Sequence, residues 1–176
     1  IKTFFDDQRR AYPSAAEQLF LLEADSLRDW PGESLKAYDR GLIAFPQSFS
    51  LLYGRAMVHE SEGQLGAMEN DLRSILAQDP NHAATLNALG YTLTNHTKRY
   101  EEAADLIERA LALSPGDPAI LDSLGWVYYK LGQYSESEVL LREAHNAFPD
   151  PEVAAHLGEV LWVQGRQFEA RDVWRD

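Results

Sequence analysis

Five histidines, His59, His82, His96, His145 and His156, are the side chains of this 176-residue chain best suited to hold a metal or move a proton near neutral pH. No two stand at the spacing that puts a pair of imidazoles on one helix face, and His59-Glu60-Ser61-Glu62 lacks the second imidazole of a zinc-binding helix. Cysteine is absent, which removes thiolate nucleophiles, disulfides and sulfur-ligated metal sites. No nucleophile elbow, phosphate loop or dinucleotide fingerprint occurs. Glu101-Glu102 opens a helical stretch, where carboxylates complement the helix dipole. Recognition chemistry is better represented, in aromatics with polar tips and in amides: Tyr91, Trp126, Tyr129, Trp162, Asn87 and Asn95. Tyr and Trp bury large area while still hydrogen-bonding, and Asn offers a paired donor and acceptor to an extended backbone. The expectation is a non-enzymatic binding protein with no metal or cofactor.

A repeated element must place these side chains. Pro46, Pro80, Pro115 and Pro149 each follow an apolar helical run, at intervals of 34, 35 and 34, and Pro13 extends the series backwards by 33. Ala56, Gly90, Gly125 and Gly158 keep the same step, at 34, 35 and 33. Within a period the apolar residues recur at helical spacing, as in Leu86, Leu89, Leu93 and then Ala103, Ile107, Ala110, Leu111. Each period therefore holds two short helices, broken at Gly63, at Asn95-His96-Thr97-Lys98-Arg99, at Gly132 and at Gly165. Asp117-Pro118 and Asp150-Pro151 place an N-cap acid before a proline at the first helical position, and Ser14-Ala15-Ala16-Glu17 predicts a capping box.

The set Leu121, Leu124, Gly125, Tyr128, Gly132, Tyr134, Leu141, Ala144 and Pro149, with Ser137 where Ala is usual, resembles the tetratricopeptide repeat. The resemblance covers the chain as a single array: the second helix of a preceding repeat at 1–13, repeats at 14–48, 49–82, 83–117 and 118–150, and an incomplete one at 151–176. The first full repeat departs most, with Leu22 at the Gly position and Trp30-Pro31-Gly32 in its loop. The second has Arg55-Ala56 in place of Leu-Gly, and the third carries one extra residue in its 95–99 loop. An all-α fold is implied: an α-solenoid, a right-handed superhelix of antiparallel helix pairs, as a fragment of a longer array. Such pairs cannot bury both apolar faces alone, so each stacks on the next. Small residues such as Gly90, Gly125 and Gly158 let backbones approach, while Leu93, Ile107 and Leu141 fill the space between.

The resemblance implies that the first helix of each repeat lines a concave groove. The face opposite the packing stripe then presents Tyr53, Met57 and Glu60, then Asn87, Tyr91, Thr94 and Asn95, then Asp122, Trp126, Tyr129 and Lys130, then Glu159 and Trp162. Two Trp and three Tyr on such a stripe are typical of interface anchors. The carboxylate clamp of chaperone-binding members is absent, because its positions carry Gly54, Met57, Ala88 and Ser123. The expected partner is a protein or extended peptide in the groove.

A formal net charge of −12 opposes the counterion release that drives nucleic-acid binding, so no nucleic-acid partner is expected. No apolar run approaches the roughly 20 residues needed to cross a bilayer, so direct membrane insertion of this segment is not expected. The stretches NALGYTLT, RYEEAADLIERALAL, GDPAILDSLGWVYYKLGQY and PDPEVAAHLGEVLW resemble the repeat region of proteobacterial outer-membrane tetratricopeptide lipoproteins. That likeness implies a periplasmic adaptor on the outer membrane, tethered by a lipid anchor ahead of Ile1. It would join a carboxyl-terminal processing protease to substrates such as peptidoglycan hydrolases. A regulatory or substrate-recognition arm of a larger enzyme and a structural subunit of an envelope assembly remain alternatives, and a cytoplasmic location stays open.

Overall fold

Three helices begin where a short polar side chain satisfies the free N–H groups of the first turn. Ser48 Oγ accepts from the Leu51 amide at 3.1 Å, Asp117 accepts from Ala119 and Ile120, and Asp150 accepts from Glu152 at 2.8 Å. These caps start α4 (Phe49–Ser61), α8 (Pro118–Lys130) and α10 (Pro151–Val163) in a computed structural model that describes residues 1–175. Pro118 and Pro151 stand at the first helical position, where a missing N–H costs no hydrogen bond. Gly132 and Gly165 follow α8 and α10 at φ of 79° and 81°, a left-handed turn that reverses the chain into the next helix.

The remaining helices are α1 (Lys2–Ala11), α2 (Ala16–Ser26), α3 (Pro31–Ala44), α5 (Leu65–Gln78), α6 (Ala83–His96), α7 (Tyr100–Leu113), α9 (Tyr134–Ala147) and α11 (Gln167–Val173). Among the described residues there is no strand. The helices divide into two units, one of residues Ile1–Pro80 and one that begins at Asn81.

In the first unit, α2 packs on α3 and α4 on α5, with α3 against α4 and α2 against α4. Phe20, Ala24, Ala37, Tyr38 and Leu51 form one core cluster, and Ala56, Met68, Leu72 and Ile75 are buried as well. The capping box expected at Ser14–Glu17 does not form. Pro13–Ala15 makes a 3-10 turn, and α2 starts only at Ala16, capped by no side chain. The locked φ and missing N–H of Pro13 suit that tight turn, and Glu17 accepts from the Ser48 hydroxyl at 2.6 Å instead. The register of α2 moves with its start. Leu22, expected at the small-residue position, is 48% exposed, whereas Ala24 is fully buried. The Ala24 carbonyl accepts from Ser34 Oγ at 2.9 Å, matching the 2.6 Å bond from Ser137 to the Gly125 carbonyl in the other unit. Arg55, the departure in the second repeat, also has a physical reason. It bonds Asp71 on α5 at 2.8 and 2.7 Å and Asp39 on α3 at 2.7 Å, tying three helices together.

The second unit repeats the same plan. α6 packs on α7, α8 on α9 and α10 on α11, while α6, α8 and α10 also touch in succession. Leu86, Leu89, Leu93, Ile107, Leu141 and Leu161 are buried in the interior. The small residues expected at the crossings are needed there. A Cβ on Gly90 would run into the Ile107 side chain and come within 2.9 Å of the Ala103 carbonyl, and one on Gly125 would meet Leu141 Cγ at 2.6 Å.

Candidate protein-binding face

Because α6, α8 and α10 lie side by side, residues one period apart meet on a shared face. Asp122 on α8 and His156 on α10, 34 residues apart, join through His156 Nδ1 at 2.9 and 3.1 Å from the two carboxylate oxygens. With a carboxylate as acceptor, Nδ1 carries the proton and the ring orientation is fixed. Both groups are buried, at 6% and 8% exposure. The imidazole stacks on the Trp126 ring with centroids 4.1 Å apart and planes 16° from parallel. Tyr129 stacks on Trp126 at 4.9 Å, and the Lys130 ammonium lies 4.0 Å from the Trp126 ring centre and 5.4 Å from that of Tyr129.

The network continues to α6. Trp126 Nε1 donates to Asn95 Oδ1 at 2.8 Å. Asn95 also bonds the Tyr91 hydroxyl, which donates to Glu152 at the start of α10. Burial, then the hydrogen bond and charge of Glu152, push the Tyr91 hydroxyl well above its ordinary value, so it remains a donor. Burial and Glu159 raise Tyr129 in the same way. One polar and aromatic chain thus runs from Tyr91 through Asn95 and Trp126 to His156 and Asp122, with half-buried rings at the surface.

Tyr91, Asn95, Trp126, Tyr129, Lys130 and Glu159 from the expected face come together here. Asp122 belongs to the same network but is buried beneath it, paired to His156, rather than presented on the surface. Thr94 is buried and donates to the Gly90 carbonyl at 2.9 Å, so it leaves the face altogether. Asn87 is half-buried, and its Oδ1 has no hydrogen-bond partner. Trp162 stands apart: it is 37% exposed and stacks on Trp174 at 5.7 Å, with the Arg171 guanidinium at the same distance from its ring. Tyr53, Met57 and Glu60 lie half-buried on α4 in the first unit. Met57 lines a recess of about 260 Å³ with Asp25, Arg28, Tyr38 and Gly54, and burial raises the Tyr53 hydroxyl, with Glu60 contributing. Glu152 and His156 join this face without having been expected there. The interval of one period between His156 and Asp122 is the signal that would have found the pair.

The second helices carry charge in a different arrangement. Arg166 bonds Glu138 at 2.6 Å and Glu169 at 2.5 Å, and Arg142 bonds Glu138 at 2.8 Å and Glu169 at 3.3 Å. Burial alone would raise the Glu138 carboxyl, but hydrogen bonds from Arg142 and Arg166 outweigh it and hold the group below its ordinary value. Among the described residues no group of three or more His, Asp or Glu is placed to hold a metal ion, and no helix is long and apolar enough to cross a membrane.

Two tetratricopeptide-repeat family models match the chain, over residues 96–160 and 69–118. A TPR repeat-containing protein of Pseudomonas aeruginosa is 49% identical over 156 residues, a match that takes in 88% of this chain but 26% of that relative. Cellulose synthase operon protein C of Pseudomonas fluorescens is 29% identical over 126 residues, 69% of this chain and 10% of that protein. This chain therefore spans about a quarter or less of the length of these curated relatives. Among solved structures, a thermophilic TPR protein of Thermus thermophilus superposes with a TM-score of 0.76 at 23% identity, covering 90% of this chain and 88% of that one. MamA of Desulfovibrio magneticus gives 0.76 at 19%, covering 90% and 91%. Pseudomonas aeruginosa PilF gives 0.79 at 20%, covering 92% and 76%. The 34-residue step, the glycine-tight crossings and these matches have one reading: the chain is a tetratricopeptide-repeat protein.

Proposed function

We propose that the chain is a non-enzymatic adaptor that docks a protein or extended peptide across α6, α8 and α10. The observation that carries this reading is the network from Tyr91 to Asp122, which holds half-buried aromatic rings rigidly in place across three helices. Pre-ordered aromatics lose little freedom on binding, which is why they serve as interface anchors. Capture from an extract of the source cells, quantified for the native chain and for Tyr91→Ala with Trp126→Ala, tests it. Each substitution should weaken partner retention by at least about 1 kcal/mol with helicity nearly intact; unchanged retention contradicts the docking face.

The finer reading is an adaptor on the periplasmic side of the outer membrane that delivers substrates such as peptidoglycan hydrolases to a carboxyl-terminal processing protease. The segment-level resemblance to outer-membrane tetratricopeptide lipoproteins supports it. A signal peptide followed by a lipid-modified cysteine, together with co-capture of such a protease, is the expected result. A full reading frame with neither, joined instead to a catalytic domain, would favour the arm of a larger enzyme.

A further inference from the structure

Charges in the second unit are paired in one place and open in another. Arg142 and Glu138 on α9, with Arg166 and Glu169 at the start of α11, neutralise one another. On the first-helix face, Glu152 and Glu159 are exposed carboxylates that meet only tyrosine hydroxyls, and among the described residues neither makes an ion pair. α6 contributes no Lys, Arg, Asp or Glu, and the Asp122 carboxylate is already engaged by His156. The one ammonium on this face, Lys130, is likewise unpaired among the described residues and lies over Trp126 and Tyr129. The face therefore joins an aromatic platform that already accepts a cation to two uncompensated carboxylates. An aromatic ring attracts a cation through its quadrupole, most strongly when the site is partly desolvated.

We infer that the Trp126–Tyr129 platform is a seat for a Lys or Arg side chain of the partner, held in the free chain by Lys130, with Glu152 and Glu159 as its flanking counter-charges. The inference rests on the docking face proposed above and adds the chemistry of the occupant: an extended basic peptide. A partner guanidinium displaces Lys130 from the rings and gains the two carboxylates, which Lys130 does not reach as an ion pair. Lys130 thus opposes binding by occupying the seat and by its like charge.

Three capped peptides of equal length, alternating Ser with Arg, with Glu or with Gln, provide the test, with affinity read by calorimetry and by tryptophan fluorescence. The Arg peptide should bind the native chain, with affinity falling as salt rises. Lys130→Met should tighten that binding about threefold or more. Glu152→Gln with Glu159→Gln should weaken it, the Gln side chains still accepting from the tyrosines. Absence of binding by the Arg peptide, equal binding by the Gln peptide, or binding by the Glu peptide that Lys130→Met abolishes overturns the inference. If those results come while Tyr91→Ala with Trp126→Ala still loses the native partner, the docking face survives and the cation seat does not. If the double variant keeps that partner, the docking face itself fails.

Discussion

Gly90 and Gly66 both lie within helices, and the same substitution has opposite consequences at the two. A methyl at Gly90 meets the Ala103 carbonyl, which is backbone and cannot yield, as well as Ile107; at Gly66 it meets nothing within 4 Å. Gly90→Ala should cost about 1–3 kcal/mol from overpacking, and Gly66→Ala should be neutral to stabilising by up to about 1 kcal/mol from helix propensity. Denaturant unfolding of both variants checks this, and equal effects would contradict the close crossing. The tyrosines set an alkaline limit. Burial first, then the hydrogen bond and charge of Glu108, push Tyr128 up to about 12 from an ordinary 10. The neutral hydroxyl is thus favoured in the folded state. The stability this contributes is fully present below pH of about 10 and is lost as pH rises through about 12. Tyr128→Phe should flatten that loss in alkaline unfolding curves; an identical pH profile would contradict it.

At the scale of the helix, α1 buries none of its own residues and is held largely by charge. Glu23 on α2 is fully buried and accepts from Arg9 of α1 at 2.9 Å and from Arg40 of α3 at 2.6 Å, while the Arg9 guanidinium also lies over Phe20. Removing one member of a buried ion network leaves the others uncompensated. Glu23→Ala should cost about 3–5 kcal/mol, with hydrogen exchange rising first along α1; exchange confined to other helices would contradict this. The helix pairing was legible because proline and glycine recur with a fixed step, and punctuation of that kind survives individual departures. The start of α2 was not legible: Ser14 and Glu17 have the spacing of a capping box, and only the turn imposed by Pro13, with Ser48 arriving from a distant position, decides otherwise. Arg55 read as a blemish for a similar reason, since its partners Asp39 and Asp71 lie sixteen residues away on either side.

At the scale of the whole molecule, helix phase alone put Tyr91, Asn95, Trp126, Tyr129, Lys130 and Glu159 on one shared face of α6, α8 and α10. It could not distinguish a residue on the face from one beneath it, because both project from the same side of a helix. Asp122 and Thr94 are buried for that reason, and His156 emerges only once neighbouring first helices are set side by side. The most direct measurement of the docking claim is amide hydrogen exchange on the chain alone and with its captured partner. New protection is expected on α6, α8 and α10 around Tyr91, Trp126 and His156, with α7, α9 and α11 little changed. Protection falling on the second helices, or nowhere in the second unit, would contradict it.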